Sequence, residues 1–121
     1  MRRDRRQARA FGARAETIAA AWLRLRFYSI LARSYSIRDG EVDIIARRGG
    51  VIAFVEVKAR PTLEDAAIAI TPEKRRRLSR AARHWIARNA QAQSCGLRGD
   101  AIFVAPGRLP RHVEGAVELD L

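Results

Sequence analysis

The chain has one cysteine, Cys95, so it can form neither an internal disulfide nor a cysteine-built zinc cluster. Cys95 reads as a small, half-buried hydrophobe, in keeping with a reducing, cytoplasmic setting. Histidine is nearly as scarce: His84 and His112 have no partners at metal-ligand spacing and read as surface or packing residues. No apolar run approaches the ~18 residues that a membrane helix needs, which excludes a bilayer-spanning role. Met1-Arg2-Arg3-Asp4-Arg5-Arg6 carries paired arginines, but no apolar stretch follows, so a twin-arginine export signal is rejected. A phosphate-binding glycine loop, a zinc motif and a serine triad are all missing. Acid is in short supply too, with 13 Asp+Glu against 24 Lys+Arg and a formal net charge of +11. Such a field attracts polyanions. Nucleic acid is the default partner, because no strongly amphipathic basic tail of the lipid-binding kind stands out.

Lysine is rare in a different sense. Among the 24 basic residues, only Lys58 and Lys74 are lysines. Arginine is a broad planar fork that keeps its proton, whereas lysine is a compact point charge whose pKa can be tuned. A site that needs the compact ammonium would resist replacement by arginine.

What is present describes a globular α/β protein. The 121 residues, 48% of them hydrophobic, suit one domain over 1–121, with about 1–10 as a flexible basic segment. Residues 5–26 read as an amphipathic helix whose stripe is Phe11, Ala15, Ile18, Trp22 and Leu25. A weaker strand spans 28–38, and Asp39-Gly40 is a turn signal. Two strong strands, 41–47 and 51–58, are joined through Arg48-Gly49-Gly50, a tight-hairpin signal. Residues 60–70 read as a loop. Thr71-Pro72-Glu73-Lys74 then opens a helix to about Ala92, with Thr71 as N-cap and Leu78, Ala81, Ala82, Trp85, Ile86 and Asn89 inward. A buried strand over 100–105 and an edge strand over 113–119 complete the chain.

A hairpin centred on Gly49-Gly50 sets Asp43 opposite Glu56 and Glu41 opposite Lys58. Alternation then gives one apolar face, Val42, Ile44, Ala46, Ala53, Val55 and Val57, to lie on the helices. The other face carries Glu41, Asp43, Ile45, Phe54, Glu56 and Lys58. Carboxylates directly across a ladder, with β-carbons about 5 Å apart, repel each other. A divalent metal resolves that conflict, since Mg²⁺ takes one or two carboxylates together with substrate phosphate and water. Lys58, two residues from Glu56, projects from the same face and reaches the same space. Together they supply what phosphodiester hydrolysis requires: neutralised phosphate charge, an activated water and a cation near the developing negative charge. The bland alternative is a solvated sheet face on which Glu41 and Lys58 form an ordinary ion pair.

Gly40-Glu41-Val42-Asp43-Ile44-Ile45-Ala46 followed by Phe54-Val55-Glu56-Val57-Lys58-Ala59-Arg60 resembles the bacterial YraN-like family of predicted endonucleases. That family is related to archaeal Holliday-junction resolvases and the wider PD-(D/E)XK nucleases, and the resemblance runs from about Phe11 to Asp100. It implies that Asp43 and Glu56 are metal ligands, that Lys58 is the catalytic lysine, and that Glu16 in the first helix matches the family's N-terminal acid. The sequence departs from the family in four places. Phe27 stands near a usual glycine, Ser34 at a usual asparagine and Gly99 at a usual aromatic, and the C-terminal asparagine is not evident.

The expected protein is a restriction-endonuclease-like αβββαβ domain, a mixed sheet with the site on one edge and helices over its apolar side. Its expected activity is Mg²⁺- or Mn²⁺-dependent endonucleolytic cleavage of DNA, with branched or structured DNA favoured. Arg60, Lys74, Arg75, Arg76 and Arg77 are expected to hold the DNA backbone. A homodimer is the analogy with junction-cutting relatives. Glu64 and Asp65, after the site, read as an acidic lid or as solvated charge. Two other readings compete: a catalytically inactive nucleic-acid-binding module on a nuclease scaffold, and a basic RNA-associated or assembly protein with merely structural acids.

Overall fold

The structure, a computed structural model, describes residues 5–62, 64 and 70–121, with side chains of the first helix described from Gly12 onward. Asp65 and residues 1–4 lie outside the described residues. Helix α1 (Arg5–Leu25) leads into the strands β1 (Ser29–Ile37), β2 (Gly40–Arg48) and β3 (Val51–Ala59). Helix α2 (Pro72–Arg88), a 3₁₀ turn (Ala90–Ser94), β4 (Gly96–Val104) and β5 (Arg111–Val113) follow. The five strands form one mixed sheet in the order β1-β2-β3-β4-β5, in which β3 and β4 are parallel and the other neighbours antiparallel. This is an α/β architecture consistent with a restriction-endonuclease-like core. Among the described residues, no helix is long and apolar enough to cross a membrane.

The hairpin has the register expected from its glycines. Gly49 adopts a positive φ of 58°, and the pairing runs from Arg48↔Val51 to Ile44↔Val55. There it stops. The expected cross-ladder pairs Asp43–Glu56 and Glu41–Lys58 are not formed as ladder partners, because β2 leaves β3 beyond Ile44 while β3 continues along β4 to Ala59↔Val104.

Helices cover both faces of the sheet, not the single apolar face expected. Ala15, Ala19, Ala20 and Leu23 of α1 pack on Ile44, Ala46, Ala53, Val55, Ile102 and Val104. Leu78, Ala81, Ala82 and Trp85 of α2 pack on the opposite side with Val42, Ile45, Ile52 and Phe54. Val42 therefore joins Ile45, not Ile44, and strict alternation breaks at the point where β2 swings away from β3. The site lies between two interior strands where they part, so the expected placement on a sheet edge does not hold.

The two helices differ in how well sequence pattern located their inner faces. Thr71 Oγ1 accepts the Lys74 amide at 3.2 Å, Pro72 opens α2, and the expected Leu78, Ala81, Ala82 and Trp85 are buried, joined by Ser79. Ile86 and Asn89 are half-buried, and the helix ends at Arg88 instead of about Ala92. In α1 the buried row is Ala15, Ala19, Ala20 and Leu23, while Ile18 is 41% and Leu25 73% exposed. Alanines let the helix sit close to the sheet, and the bulkier residues beside them drew the pattern to a neighbouring face. Phe11 has no described side chain.

The C-terminal edge strand is shorter and earlier than expected. β5 ends at Val113, Gly115 turns the chain with φ 70°, and Val117 docks by donating its amide to the Gly99 carbonyl at 3.1 Å. That docking explains the glycine at 99, since a Cβ there would lie 2.1 Å from the Val117 oxygen. Gly40 plays a similar part for α2: a Cβ would fall 3.0 Å from the Ala81 nitrogen and 3.1 Å from the Arg77 oxygen.

Candidate active site

The parting of β2 from β3 opens a cavity of about 310 Å³ lined by Gly12, Ala15, Glu16, Glu41, Asp43, Glu56, Val57, Lys58, Ala59 and Arg60. Asp43 takes the place of a missing ladder bond. The Val57 amide, left without a β2 carbonyl, donates to Asp43 Oδ2 at 2.7 Å. The strand separation thus delivers the carboxylate into the cavity and fixes its orientation.

Glu56 and Lys58 follow on β3, both 7% exposed, with Lys58 Nζ at 2.8 Å from Glu56 Oε1. Glu41, expected to pair with Lys58, instead stands 4.0 Å from Arg77 of α2. Burial, reinforced by the Glu56 charge, pushes the Asp43 carboxyl up to about 7, against the Val57 hydrogen bond that favours its ionised form. Burial works against the Lys58 charge as well, but the Glu56 carboxylate outweighs it and the pKa is raised above the ordinary lysine range. The site therefore holds two mutually repelling acids, only one of which has a cation beside it.

Glu16 lines the same cavity from α1, but its oxygens are engaged: Ser34 Oγ donates at 3.0 and 3.1 Å, and Arg33 Nε at 3.3 Å. Ser34, with φ 49°, occupies the position where the resembled family has asparagine, and it is the residue that tethers this acid. Sequence reasoning missed both partners of Glu16. The departure at Ser34 was the one signal that pointed there.

The expected backbone-binding residues divide. Arg60 lines the cavity and donates to the Ala59 carbonyl at 2.7 Å. Lys74 lines a small crevice with Glu41, Glu56 and Arg77, and the Lys58 ammonium followed by burial lowers its pKa. Arg75 turns to Glu118 at 3.3 Å. Arg76 and Arg77 line a separate cavity of about 410 Å³ with Asp39, Glu73 and Arg80. Glu64 is exposed and lies away from the acids, near Pro106 and Arg108.

Among the described residues, no three His, Cys, Asp or Glu side chains are grouped to hold an ion among themselves. The donor set still fits Mg²⁺ or Mn²⁺ by its chemistry. Such ions take one or two carboxylates with the remaining positions left to water and substrate phosphate, and Asp43 and Glu56 are a carboxylate pair lacking full charge compensation.

A second polar cluster was not foreseen. Asp100, fully buried, accepts from Arg98 Nε at 2.7 Å and Nη2 at 2.9 Å and from the Gly115 amide at 3.0 Å, and it pairs with His112 Nε2 at 2.7 Å. Burial alone would raise its pKa, but these bonds outweigh it and hold the carboxyl at about 2. His112 is thus a partner of a buried acid rather than a free surface residue. The cluster ties β4 to β5 and the turn after it.

Comparison with known proteins bears on this geometry. The model of the uncharacterised protein family UPF0102 matches residues 15–104, which include Glu16, Asp43, Glu56, Lys58 and Lys74. A UPF0102 protein of Methylocella silvestris is 60% identical over 117 residues, covering 97% of this chain and 94% of that protein. One from Methylobacterium nodulans is 52% identical over 118 residues, with 98% and 92% covered. One from Paramagnetospirillum magneticum is 47% identical over 122 residues, with 98% and 95% covered.

Proposed function

The chain belongs to the UPF0102 family, the YraN-like family that its paired motifs resemble, and from its site we propose that it is a metal-dependent endonuclease acting on DNA. One observation carries the reading: Asp43, Glu56 and Lys58 line one cavity at the point where β2 leaves β3, and burial with carboxylate repulsion raises Asp43 to about 7. Lys58 compensates Glu56 but leaves Asp43 without a cation of its own, which a divalent metal would supply. Mg²⁺ or Mn²⁺, held by Asp43 and Glu56, would neutralise phosphate charge and lower the pKa of an attacking water. Lys58, kept charged by Glu56, orients that water and faces the negative charge that develops on the phosphorus oxygens. Glu16, tethered by Arg33 and Ser34, closes the α1 side of the cavity and positions the attacking water from there. The basic surface supplies sequence-independent attraction for the DNA backbone. Branched or structured DNA is the favoured substrate, in a cytoplasmic protein that works as a dimer if it follows junction-cutting enzymes.

The test is a substrate panel of duplex, single-stranded and four-way-junction DNA, each with and without Mg²⁺ or Mn²⁺. Cleavage that requires metal and vanishes in Lys58→Ala and Asp43→Asn, with DNA binding kept, is the expected result. Metal-independent cleavage, or cleavage unchanged in both variants, would sink the site assignment. Binding without cleavage on every substrate would favour the alternative, a nucleic-acid-binding module on a nuclease scaffold.

A further inference from the structure

The sequence contains only two lysines, and the fold brings them together. Lys58 ends its reach from β3, and Lys74 comes from the first turn of α2, fixed there by the Thr71 cap on its own amide. Each ammonium acts on the ionisation of the other, with Arg60 adding further positive charge and Glu56, which lines the crevice beside Lys74, the nearby negative one. Neighbouring helix residues behave differently: Arg75 and Arg77 turn to Glu118 and Glu41, respectively. Like charges placed near each other repel, and a phosphate against both would add to the partial relief that Glu56 gives. The crevice beside Lys74 is small, about 30 Å³, and is lined by Glu41, Glu56 and Arg77. An ammonium binds phosphate as a point charge, whereas a guanidinium is a broader planar fork. That crevice shares Glu41 and Glu56 with the main cavity, so Lys74 approaches the same substrate from the α2 side.

We infer that Lys74 is a second active-site lysine, whose ammonium and that of Lys58 bind one and the same phosphate group of the substrate. The inference rests on the phosphodiester reading of the site and assigns Lys74 to the reacting phosphate instead of the flanking backbone. Its test does not need turnover. Protein labelled with ¹³C at the lysine ε-carbons gives two lysine signals, one for each residue. Adding a short DNA duplex in the presence of Ca²⁺ should move both signals along one binding curve with a common midpoint. In Mg²⁺, Lys74→Gln should lower turnover at saturating DNA by roughly 10²-fold, as expected for losing one donor to the developing charge, with little change in affinity. Lys74→Arg, which keeps the charge but not the size, should not restore it. Movement of the Lys58 signal alone, or a Lys74→Gln enzyme that keeps its turnover and only binds more weakly, would overturn the inference. If the unsubstituted chain cuts none of the substrates, the endonuclease reading fails by itself, and the two signals still decide whether the lysines share a phosphate.

Discussion

Ionising Asp43 in a half-buried position beside Glu56 works against folding, and this has a measurable sign. Its folded pKa of about 7 lies above the ordinary 3.8, so the folded state holds a proton that the unfolded chain releases. The stability associated with that proton is complete below pH ~4 and is lost as pH rises through about 7. In metal-free buffer at pH 8, Asp43→Asn should therefore stabilise the protein by about 1–3 kcal/mol, a range that allows for partial solvent screening. The gain should shrink at pH 5. Mg²⁺ should raise the melting temperature of the unsubstituted chain at pH 8 and leave the variant unmoved. A variant less stable than its parent at pH 8 would contradict the burial argument. Phe27 stores strain of another kind: it follows α1 with φ 71° and is 88% exposed, so its side chain packs on little. Phe27→Gly should stabilise by about 1 kcal/mol, relieving the left-handed backbone cost, as thermal unfolding would show. The departure from the resembled family's glycine marked this position in the sequence, although nothing in the letters themselves gave the angle. The grouping of Asp43, Glu56 and Lys58 was also legible from the hairpin, although the ladder pairs that its register implied do not form. The amide of Val57 was not, since its bond to Asp43 exists only because a ladder fails there.

At the scale of the element, legibility followed how local the determining physics is. The β2–β3 hairpin and the start of α2 depend on turn glycines, a cap and a proline, all within a few residues, and their register and cap match the sequence reading. The inner face of α1 depends on how closely a helix can approach a sheet, which is a property of its partner, and there the reading kept Ala15 but turned Ile18 and Leu25 inward in place of Ala19, Ala20 and Leu23. The C-terminal segment is the clearest case of distant control. Its course after β5 is set by a carbonyl of β4 at Gly99 and by the buried Asp100 that gathers Arg98, His112 and the Gly115 amide. Gly99→Ala would press a methyl into the Val117 carbonyl and the Leu119 side chain, and should destabilise by at least the ~1–3 kcal/mol of an overpacked core. Hydrogen exchange should locate the loss at Val117 and its neighbours. The Asp100 carboxyl, at about 2, contributes stability that is present above pH ~4 and lost as pH falls through 2. Asp100→Asn should accordingly flatten the acid limb of a stability-versus-pH curve while lowering stability at pH 7. An unchanged acid limb would show that other carboxylates govern it.

For the whole molecule, the net charge of +11 and the small acidic cavity pull in opposite directions, and that opposition separates holding DNA from cutting it. The positive field acts at long range and is screened by salt, whereas groups inside a narrow cavity are screened much less. DNA affinity should therefore fall steeply with salt, with a log–log slope near −0.9 for each phosphate neutralised. Turnover at saturating DNA should change far less over the same range. Arg76 tests the division, because it is exposed and lines the arginine-rich cavity on α2 beside Arg77 and Arg80, apart from the acids. Arg76→Ala should reduce the salt slope by about one and weaken binding similarly for duplex and junction, leaving turnover at saturation intact. Lys58→Ala should do the reverse, abolishing turnover while leaving the salt slope within a fraction of a unit. If both variants altered slope and turnover together, the charged surface and the cavity would be a single binding site, and the long-range field would have no separate part in capturing the substrate.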